Sequence, residues 1–456
     1  MPISPARRIA CDILRRVESE AAYASDLLHA ELGADVSTAD AALATELTLG
    51  VLRWRGLLDF LLQRHLKKPL DRLDLPVAIS LRLGLYQLRF LQRVPARAAV
   101  NESVELVRHA RKTSAAGLVN AVLRQCAAEG NHPAEEFLAA GASEVERLAI
   151  LHSHPAWMIE RWIARWGKPR TIALLEANNR APRLACTPSD EKRLDEIVAK
   201  LEKSKLRVEP GCLLRSAFTV SSGSPSRTSA FREGLFSLQD EASQAVPLLL
   251  GAQAGEKILD LCAAPGGKTT TLVRAVGGEG FVVAADRQAH RLRAARAQFQ
   301  RLGLSSVRLI ELDASRPLPF NEKFDRILLD SPCSGTGTLA RHPEIRWRLR
   351  PEQLSELHTL QGAMAVQALK QLSPRGRLVY STCSIEAEEN EAVVEEALKH
   401  HARARRVHAA EMQRSLGPHL APGVNVDQLF DLFGYFRTLP GDLPVDGFFA
   451  AAIELA

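Results

Sequence analysis

Two rhythms of apolar and polar positions divide the chain. Over residues 1–130 the apolar residues return every three to four positions. Ile9, Ile13 and Val17 mark one stripe, and Leu43, Leu47, Val51, Trp54, Leu58 and Leu62 hold another over several turns. That period is the signature of amphipathic helices. Pro69, Asp71, Asp74 and Pro76 punctuate the approach to a further helix carrying Ile79, Leu83 and Leu85, and residues 100–112 and 115–126 predict two more. Residues 127–149, with Gly130, Asn131 and Pro133, read as a linker. Beyond it, Trp157, Ile159, Trp162, Ile163 and Trp166 predict a helix whose tryptophans belong to a core. Strands at 183–187 and 206–209 flank a charged helix at 191–204, which defines a small α/β connector over residues 150–235.

From residue 236 short apolar runs alternate with helical stretches. Strands are predicted at 257–262, 280–285, 307–312, 326–329 and 377–382, and helices at 268–276, 288–302 and 351–372. Alternation of this kind predicts a doubly wound, mainly parallel, Rossmann-like α/β sheet. The basic run His400, His401, Arg403, Arg405 and Arg406 reads as a solvated helix end.

The stretch 258–271, ILDLCAAPGGKTTT, is a strand, a glycine turn and a helix start. Open α/β sheets place a nucleotide-like ligand over a helix N-terminus with this arrangement. Asp260, Asp286, Asp313, Asp330 and Cys383 all fall at the C-terminal ends of predicted strands, which share one edge of such a sheet. A lone aspartate at a strand end is ordinarily a turn or cap residue, and that explanation weakens as the coincidences accumulate. Asp286 follows Gly266 at the roughly 20-residue offset at which an acidic side chain meets ribose hydroxyls in dinucleotide folds. A phosphate-cradling P-loop is the competing reading of GGKTT. It needs glycine where Cys262 stands, and Pro265 removes a backbone donor from the cradle.

Composition sharpens the picture modestly. The 456 residues carry a net charge of +6, which leans toward a polyanionic partner. On the first helical segment, Arg108, Arg111, Lys112 and Arg124 read equally as a solvated face or a phosphate-binding surface. No apolar run reaches the length of a membrane span, and no secretory signal is visible, so a cytoplasmic protein is expected. The seven cysteines are scattered and none forms a CxxC pair, which argues against a zinc site or a disulfide framework. Cys333 and Cys383 stand apart from the others. Each lies in a polar, serine- or glycine-containing loop after a strand, where a thiolate can be exposed. Cys11 and Cys126 read as inert packing residues, and Cys262 as packing within the ligand loop.

The strings LRLGLYQLRFLQRVPARAAVNESVELVR (81–108) and GLVNAVLR (117–124) resemble the NusB-type helical RNA-binding domain, which occurs fused to one family of ribosomal RNA methyltransferases. LDLCAAPGGKT, DSPCSGTG, RHPEIRW, YSTCSIEAEENE and the closing DGFFAAAIE resemble RNA cytosine-C5 methyltransferases. Together these motifs span nearly the whole chain and match the RsmB/Sun/Fmu family of 16S ribosomal RNA enzymes. The resemblance implies three domains: NusB-like RNA-binding helices at 1–130, an RNA-contacting connector at 150–235 and a methyltransferase domain at 236–456. It implies S-adenosylmethionine as cofactor, bound by Cys262, Ala263, Ala264, Pro265, Gly266, Gly267, Lys268 and Asp286, with Asp313 near the adenine and Asp330 near the methyl group. It further implies that Cys383 is the nucleophile, that Cys333 assists product release, and that Asp330 meets the base on its Watson–Crick edge. Ser331 and Gly335 depart mildly from the alanines many members carry in the Pro-Cys loop.

A thiolate suits this chemistry, because adding it at C6 of cytosine makes C5 nucleophilic enough to accept a methyl group. The basic, aromatic segment Arg341, His342, Pro343, Glu344, Ile345, Arg346, Trp347 and Arg348 suits contact with the RNA substrate, the expected role; the alternative is a surface loop with Trp347 docked on the core. The expected partner is 16S ribosomal RNA, with transfer RNA or 23S ribosomal RNA as alternatives. The expected state is a monomer with no metal and no membrane association. A non-catalytic RNA-binding or antitermination factor is the alternative from another class.

Overall fold

A computed structural model describes residues 3–33, 35–221 and 223–455. The chain forms two compact units, one of Met1–Ala181 with Leu339–Arg348 and one of Pro182–Thr338 with Leu349–Ala456.

The first unit is helical: Pro5–Glu20, Ala24–Glu31, Thr38–Gln63, Leu75–Phe90, Ala96–His109, Ala116–Glu129, Glu144–Leu151, Ala156–Trp166 and Lys168–Asn179. The predicted stripes face one core built on Ile13, Leu47, Leu58, Leu62, Leu81, Val107, Val119 and Leu123. A Cβ at Gly50 would sit 2.1 Å from the Tyr86 ring, so glycine there lets helices Thr38–Gln63 and Leu75–Phe90 close on each other. Trp162 is buried, as its place on the aromatic helix predicts.

The expected linker at 127–149 is largely structured. Helix Ala116–Glu129 runs into it, a short 3₁₀ turn covers Ala134–Phe137, and Glu144–Leu151 is a helix. Ser143 and Glu146 form a reciprocal capping box that starts this last helix. Ser-x-x-Glu before an apolar run was the local signal for it.

Segment Leu339–Arg348 belongs to this helical unit, where Glu344, Arg346 and Arg348 bond to helix ends. Arg348 donates to the carbonyls of Val17 (2.7 Å), Ala21 (2.8 Å) and Ala22 (2.5 Å) where helix Pro5–Glu20 ends. Glu344 accepts from the N–H of Ala24 at 2.9 Å, at the start of helix Ala24–Glu31. Arg346 is fully buried and donates to Asn178 O (3.2 Å) and Asn179 Oδ1 (2.9 Å), closing helix Lys168–Asn179. It also donates to Ser153 O (3.1 Å), Arg53 O (3.4 Å) and Leu339 O (3.4 Å). The Trp347 indole donates to Leu52 O at 2.8 Å. Cations at carbonyl ends and an anion at an amide end complement the helix dipoles. The expectation of RNA contact is corrected for Arg346, whose guanidinium is enclosed and committed to protein carbonyls.

The second unit holds two sheets. β1 (Leu184–Pro188), β2 (Val208–Pro210), β3 (Phe218–Val220) and β4 (Phe236–Leu238) form an antiparallel sheet in the order β2-β3-β1-β4. Its core joins Cys186, Phe218 and Phe236 to Ile197 and Leu201 of helix Leu194–Lys203. The larger sheet contains β5 (Lys257–Asp260), β6 (Phe281–Asp286), β7 (Val307–Glu311), β8 (Phe324–Asp330), β9 (Leu372–Thr382), β10 (Ala404–Arg406), β11 (Phe436–Thr438) and β12 (Phe448–Leu455). Its order is β10-β12-β9-β8-β5-β6-β7, with β11 also paired to β12. Strands β5 to β9 are parallel, and β12 closes the sheet antiparallel to β9. Successive residues Ile258 and Leu259 enter cores on opposite faces, the burial that parallel strands require.

The basic run at 400–406 is not only a helix end. Helix Glu391–Lys399 stops before it, and Ala404, Arg405 and Arg406 pair with Leu455, Glu454 and Ile453 as edge strand β10. Arg405 also meets Glu454 across that pair at 2.6 Å.

Candidate active site

From β5 the chain winds outward through β6 and β7, then returns to lay β8 on the other side of β5. The reversal puts the topological switch point between β5 and β8, and open α/β sheets bind ligands at the C-terminal strand ends beside such a point. The glycine turn fills one side of it. Ala263 N–H donates to Ala285 O (2.8 Å), and Gly266 N–H to Ala263 O (2.7 Å), before helix Gly267–Val276 begins. Gly266 has φ +104°, and a Cβ there would stand 2.6 Å from the Phe299 ring. Both constraints select glycine. Ala263 and Ala264 are buried against the sheet, while Cys262 is partly buried and its thiol is pushed well up by burial. The peptide between Ala264 and Pro265 is cis.

The acidic strand ends have distinct environments. Asp260 is 1% exposed and accepts from Thr269 Oγ1 at 2.7 Å through one oxygen, while its Oδ1 has no partner among the described residues. Burial pushes its carboxyl up to about 7. Asp286 accepts from Ala264 N–H (3.3 Å) and Gln288 N–H (3.0 Å), and Arg291 braces the same loop by donating to Ala264 O at 2.8 Å. Asp313 accepts from the hydroxyl and N–H of Ser315, which holds its carboxyl below the usual range. Asp330 is flanked by Lys268 Nζ (2.7 Å) and Ser381 Oγ (2.8 Å). Lys268 also lies 5.0 Å from the Phe448 ring centroid. Glycine turn, β5, β6, β8 and β9 thus bring Cys262, Lys268, Asp286, Asp330 and Cys383 to one edge, with Asp313 just beyond β7.

The two singled-out cysteines meet. Cys333 Sγ lies 3.2 Å from Cys383 Sγ, although they come from separate loops after β8 and β9. Contact with Cys383, together with burial and the nearby Glu389 and Asp330 carboxylates, pushes the Cys333 thiol well up, so Cys333 is held as a neutral thiol. Gly337 N–H donates to Cys383 O (2.9 Å), and Gly447 N–H to Gly337 O (2.8 Å), locking three loops by backbone alone. A Cβ at Gly337 would fall 2.2 Å from Gly447 O.

Sequence reasoning gave no role to the polar residues behind the thiols. Glu389, Gln361, Asn390, Ser334 and Ser384 form a buried network linking both cysteine loops. Its only local signal was the polar run Glu388-Glu389-Asn390-Glu391 between Ala387 and Ala392, which also describes a solvated helix start. Among the described residues no cluster of His, Cys, Asp or Glu could hold a metal ion, and no helix is long and apolar enough to cross a membrane.

A doubly wound sheet with this strand order, a glycine turn at the switch point and acidic residues along the adjoining strand ends defines an S-adenosylmethionine-dependent methyltransferase, here carrying NusB-like helices. Residues 247–454 match the family described as 16S rRNA methyltransferase RsmB/F, residues 4–128 the NusB family, and residues 154–226 the RsmF/B-like ferredoxin-like domain. The ribosomal RNA small subunit methyltransferase B of Vibrio cholerae is 35% identical over 91% of this chain and 89% of its own. The Escherichia coli protein of that name is 32% identical over 98% of both. A crystal structure of a methyltransferase homologue from Pyrococcus horikoshii covers 69% of this chain and 100% of its own, at 26% identity and a TM-score of 0.57. The chain belongs to the RsmB/F family of 16S ribosomal RNA methyltransferases.

Proposed function

We propose that the chain methylates C5 of a cytosine in 16S ribosomal RNA through a covalent bond between Cys383 and C6. The observation that carries this reading is the meeting of two thiols at 3.2 Å beside Asp330, at the sheet edge that also bears the glycine turn. The Cys383 thiolate forms the S–C6 bond, and the displaced electron pair makes C5 nucleophilic. S-adenosylmethionine, when bound, supplies the methyl group that C5 accepts. A base then removes the C5 proton, and the returning electrons break the S–C6 bond and release the thiolate. Cys333, a neutral thiol in contact with Cys383, assists that release.

The residues present fit the cofactor. The unpartnered Oδ1 of Asp260 is a buried acceptor awaiting a donor, and a ligand ammonium supplies one. Residues 262–268 line the turn and Asp286 faces ribose hydroxyls, with Asp313 toward the adenine. Asp330, steadied by Lys268 and Ser381, keeps acceptor capacity for the amino edge of a cytosine. In this reading residues 1–130 bind RNA, residues 150–235 form a connector that touches it, and residues 236–456 carry the chemistry in the cytoplasm. The target base must leave any stack it occupies, so single-stranded or loosely structured RNA is the form attacked.

The test is methyl transfer from labelled S-adenosylmethionine to unmethylated 16S ribosomal RNA, run beside 23S ribosomal RNA and transfer RNA, with the modified base identified. 5-Methylcytosine confined to 16S RNA is expected. Methylation of another RNA overturns the substrate, and methylation of another atom overturns the role of the cysteines.

A further inference from the structure

We propose that Glu389 is the positioning residue that sets the two cysteines against each other, because one buried carboxylate accepts hydrogen bonds from the serine following each of them. Glu389 is 0% exposed. Its Oε1 accepts from Ser334 N–H (2.8 Å) and Gln361 Nε2 (3.0 Å). Its Oε2 accepts from the Ser334 hydroxyl and from Ser384 Oγ (2.5 Å). Ser334 follows Cys333, and Ser384 follows Cys383. Both loops therefore hang from one group.

The residues preceding the cysteines are held by the same network. Gln361 Nε2 also donates to Pro332 O at 2.9 Å. Thr382 Oγ1 donates to Asn390 Oδ1 (2.6 Å), and Asn390 Nδ2 to Ser384 O (2.9 Å). Tyr380 OH closes the cluster on Glu389 O at 2.5 Å. Each thiol is thus fixed on both sides, and their separation is set by a carboxylate that touches neither. A carboxylate suits the place because all four of its donors are neutral and none of its oxygens must donate. Burial pushes the Glu389 carboxyl up, while the Ser334, Ser384 and Gln361 hydrogen bonds offset that cost.

The charge has a second consequence. Cys333 faces Cys383, Glu389 and Asp330, and it in turn acts on Tyr380. Contact with Cys383 and burial weigh most in keeping Cys333 protonated, and the Glu389 charge adds to them, while the Lys268 ammonium is paired with Asp330 at 2.7 Å. In the proposed reaction, on which this role rests, that leaves Cys383 as the single nucleophile.

The experiment alkylates the full-length protein across a pH series and measures modification of Cys333 and Cys383 separately by mass spectrometry, beside methyl-transfer kinetics. Glu389→Gln keeps the shape and removes the charge. Cys333 should then react about tenfold faster at a fixed alkaline pH, and kcat should fall at least about tenfold, with the KM for S-adenosylmethionine within about twofold. Glu389→Asp keeps the charge but shortens the reach, so kcat should fall while Cys333 stays unreactive. Should Glu389→Gln fail to fold, Ser384→Ala and Ser334→Ala each remove a hydroxyl donor, and a lower kcat with intact cofactor affinity is expected of both. Unchanged kcat and unchanged alkylation profiles in folded Glu389→Gln, or unchanged kcat in both serine variants, overturn the proposal. Alkylation needs no RNA, so failure of the cytosine reading would show as absent methylation by the unaltered protein, not as an unchanged thiol profile.

Discussion

Replacing Arg346 by methionine separates two roles that a basic, aromatic segment can play. Methionine keeps an unbranched stem of similar length and removes the guanidinium. Four carbonyl oxygens (Arg53, Ser153, Asn178 and Leu339) and Asn179 Oδ1 then lose a donor inside a fully buried site. A buried acceptor left without its donor costs about 1–3 kcal/mol, and several acceptors sharing one donor do not add. Against this stands relief from burying a cation, visible in the Arg346 guanidinium being pushed down to about 9 by desolvation. The net loss expected is about 3 kcal/mol. All five tryptophans (Trp54, Trp157, Trp162, Trp166 and Trp347) lie in the helical unit, so tryptophan fluorescence during denaturant unfolding follows that unit alone. The midpoint should fall while the slope stays constant. Arg346→Lys should recover only part of the loss, because one ammonium cannot reach acceptors arranged for a planar fork. An exposed RNA-contacting arginine behaves differently: its removal changes stability by less than about 0.5 kcal/mol and lowers the salt dependence of RNA binding by about one phosphate. That second pattern for Arg346→Met would refute the anchoring argument.

Three further outcomes are expected. Cys383→Ala should abolish both methylation and covalent RNA capture, whereas Cys333→Ala should accumulate a protein–RNA adduct that survives a denaturing gel; the opposite assignment of adduct and loss would reverse the two roles. Asp260 is pushed up to about 7, so between about pH 4 and pH 7 the folded state holds a proton that the unfolded chain has lost. Stability of the cofactor-free protein should therefore fall as pH rises through that window, by at most about 4 kcal/mol, and Asp260→Asn should flatten the fall in calorimetry; an unchanged slope would place the proton elsewhere. Gly266→Ala should weaken S-adenosylmethionine binding and lower the melting temperature. It forces a side chain onto φ +104°, a strain of about 1–3 kcal/mol, and drives a Cβ into the Phe299 ring; isothermal titration showing native affinity would deny that the turn is rigid.

What the sequence disclosed, and what it hid, follow from how far each signal reaches along the chain. The parallel strands were legible because burial on both faces leaves continuous apolar runs, and their ends were legible because polar residues interrupt those runs abruptly. Asp260, Asp286, Asp330 and Cys383 stand at such interruptions, and the topology gathers them without further instruction. Arg346 and Glu389 sit in equally polar local sequence and are buried, and nothing nearby says so. The Ser153 acceptor of Arg346 is 193 residues away, and the Ser334 donor of Glu389 is 55 residues away. A charged side chain is buried only where the fold supplies several partners of the opposite hydrogen-bonding character, and those partners lie on other elements. Short elements were hidden for a related reason: β3 and β10 are three residues each, too brief for an apolar period, and exist by pairing with β1 and β12. The cysteine pair shows both regimes at once. Each loop was marked locally as polar and strand-terminal, but the 3.2 Å contact and the carboxylate behind it exist only after β8 and β9 lie side by side, when the Ser334 and Ser384 hydroxyls can reach the same carboxylate oxygen. Chemistry confined to one loop is therefore readable from sequence, whereas chemistry that needs two loops in register belongs to the fold.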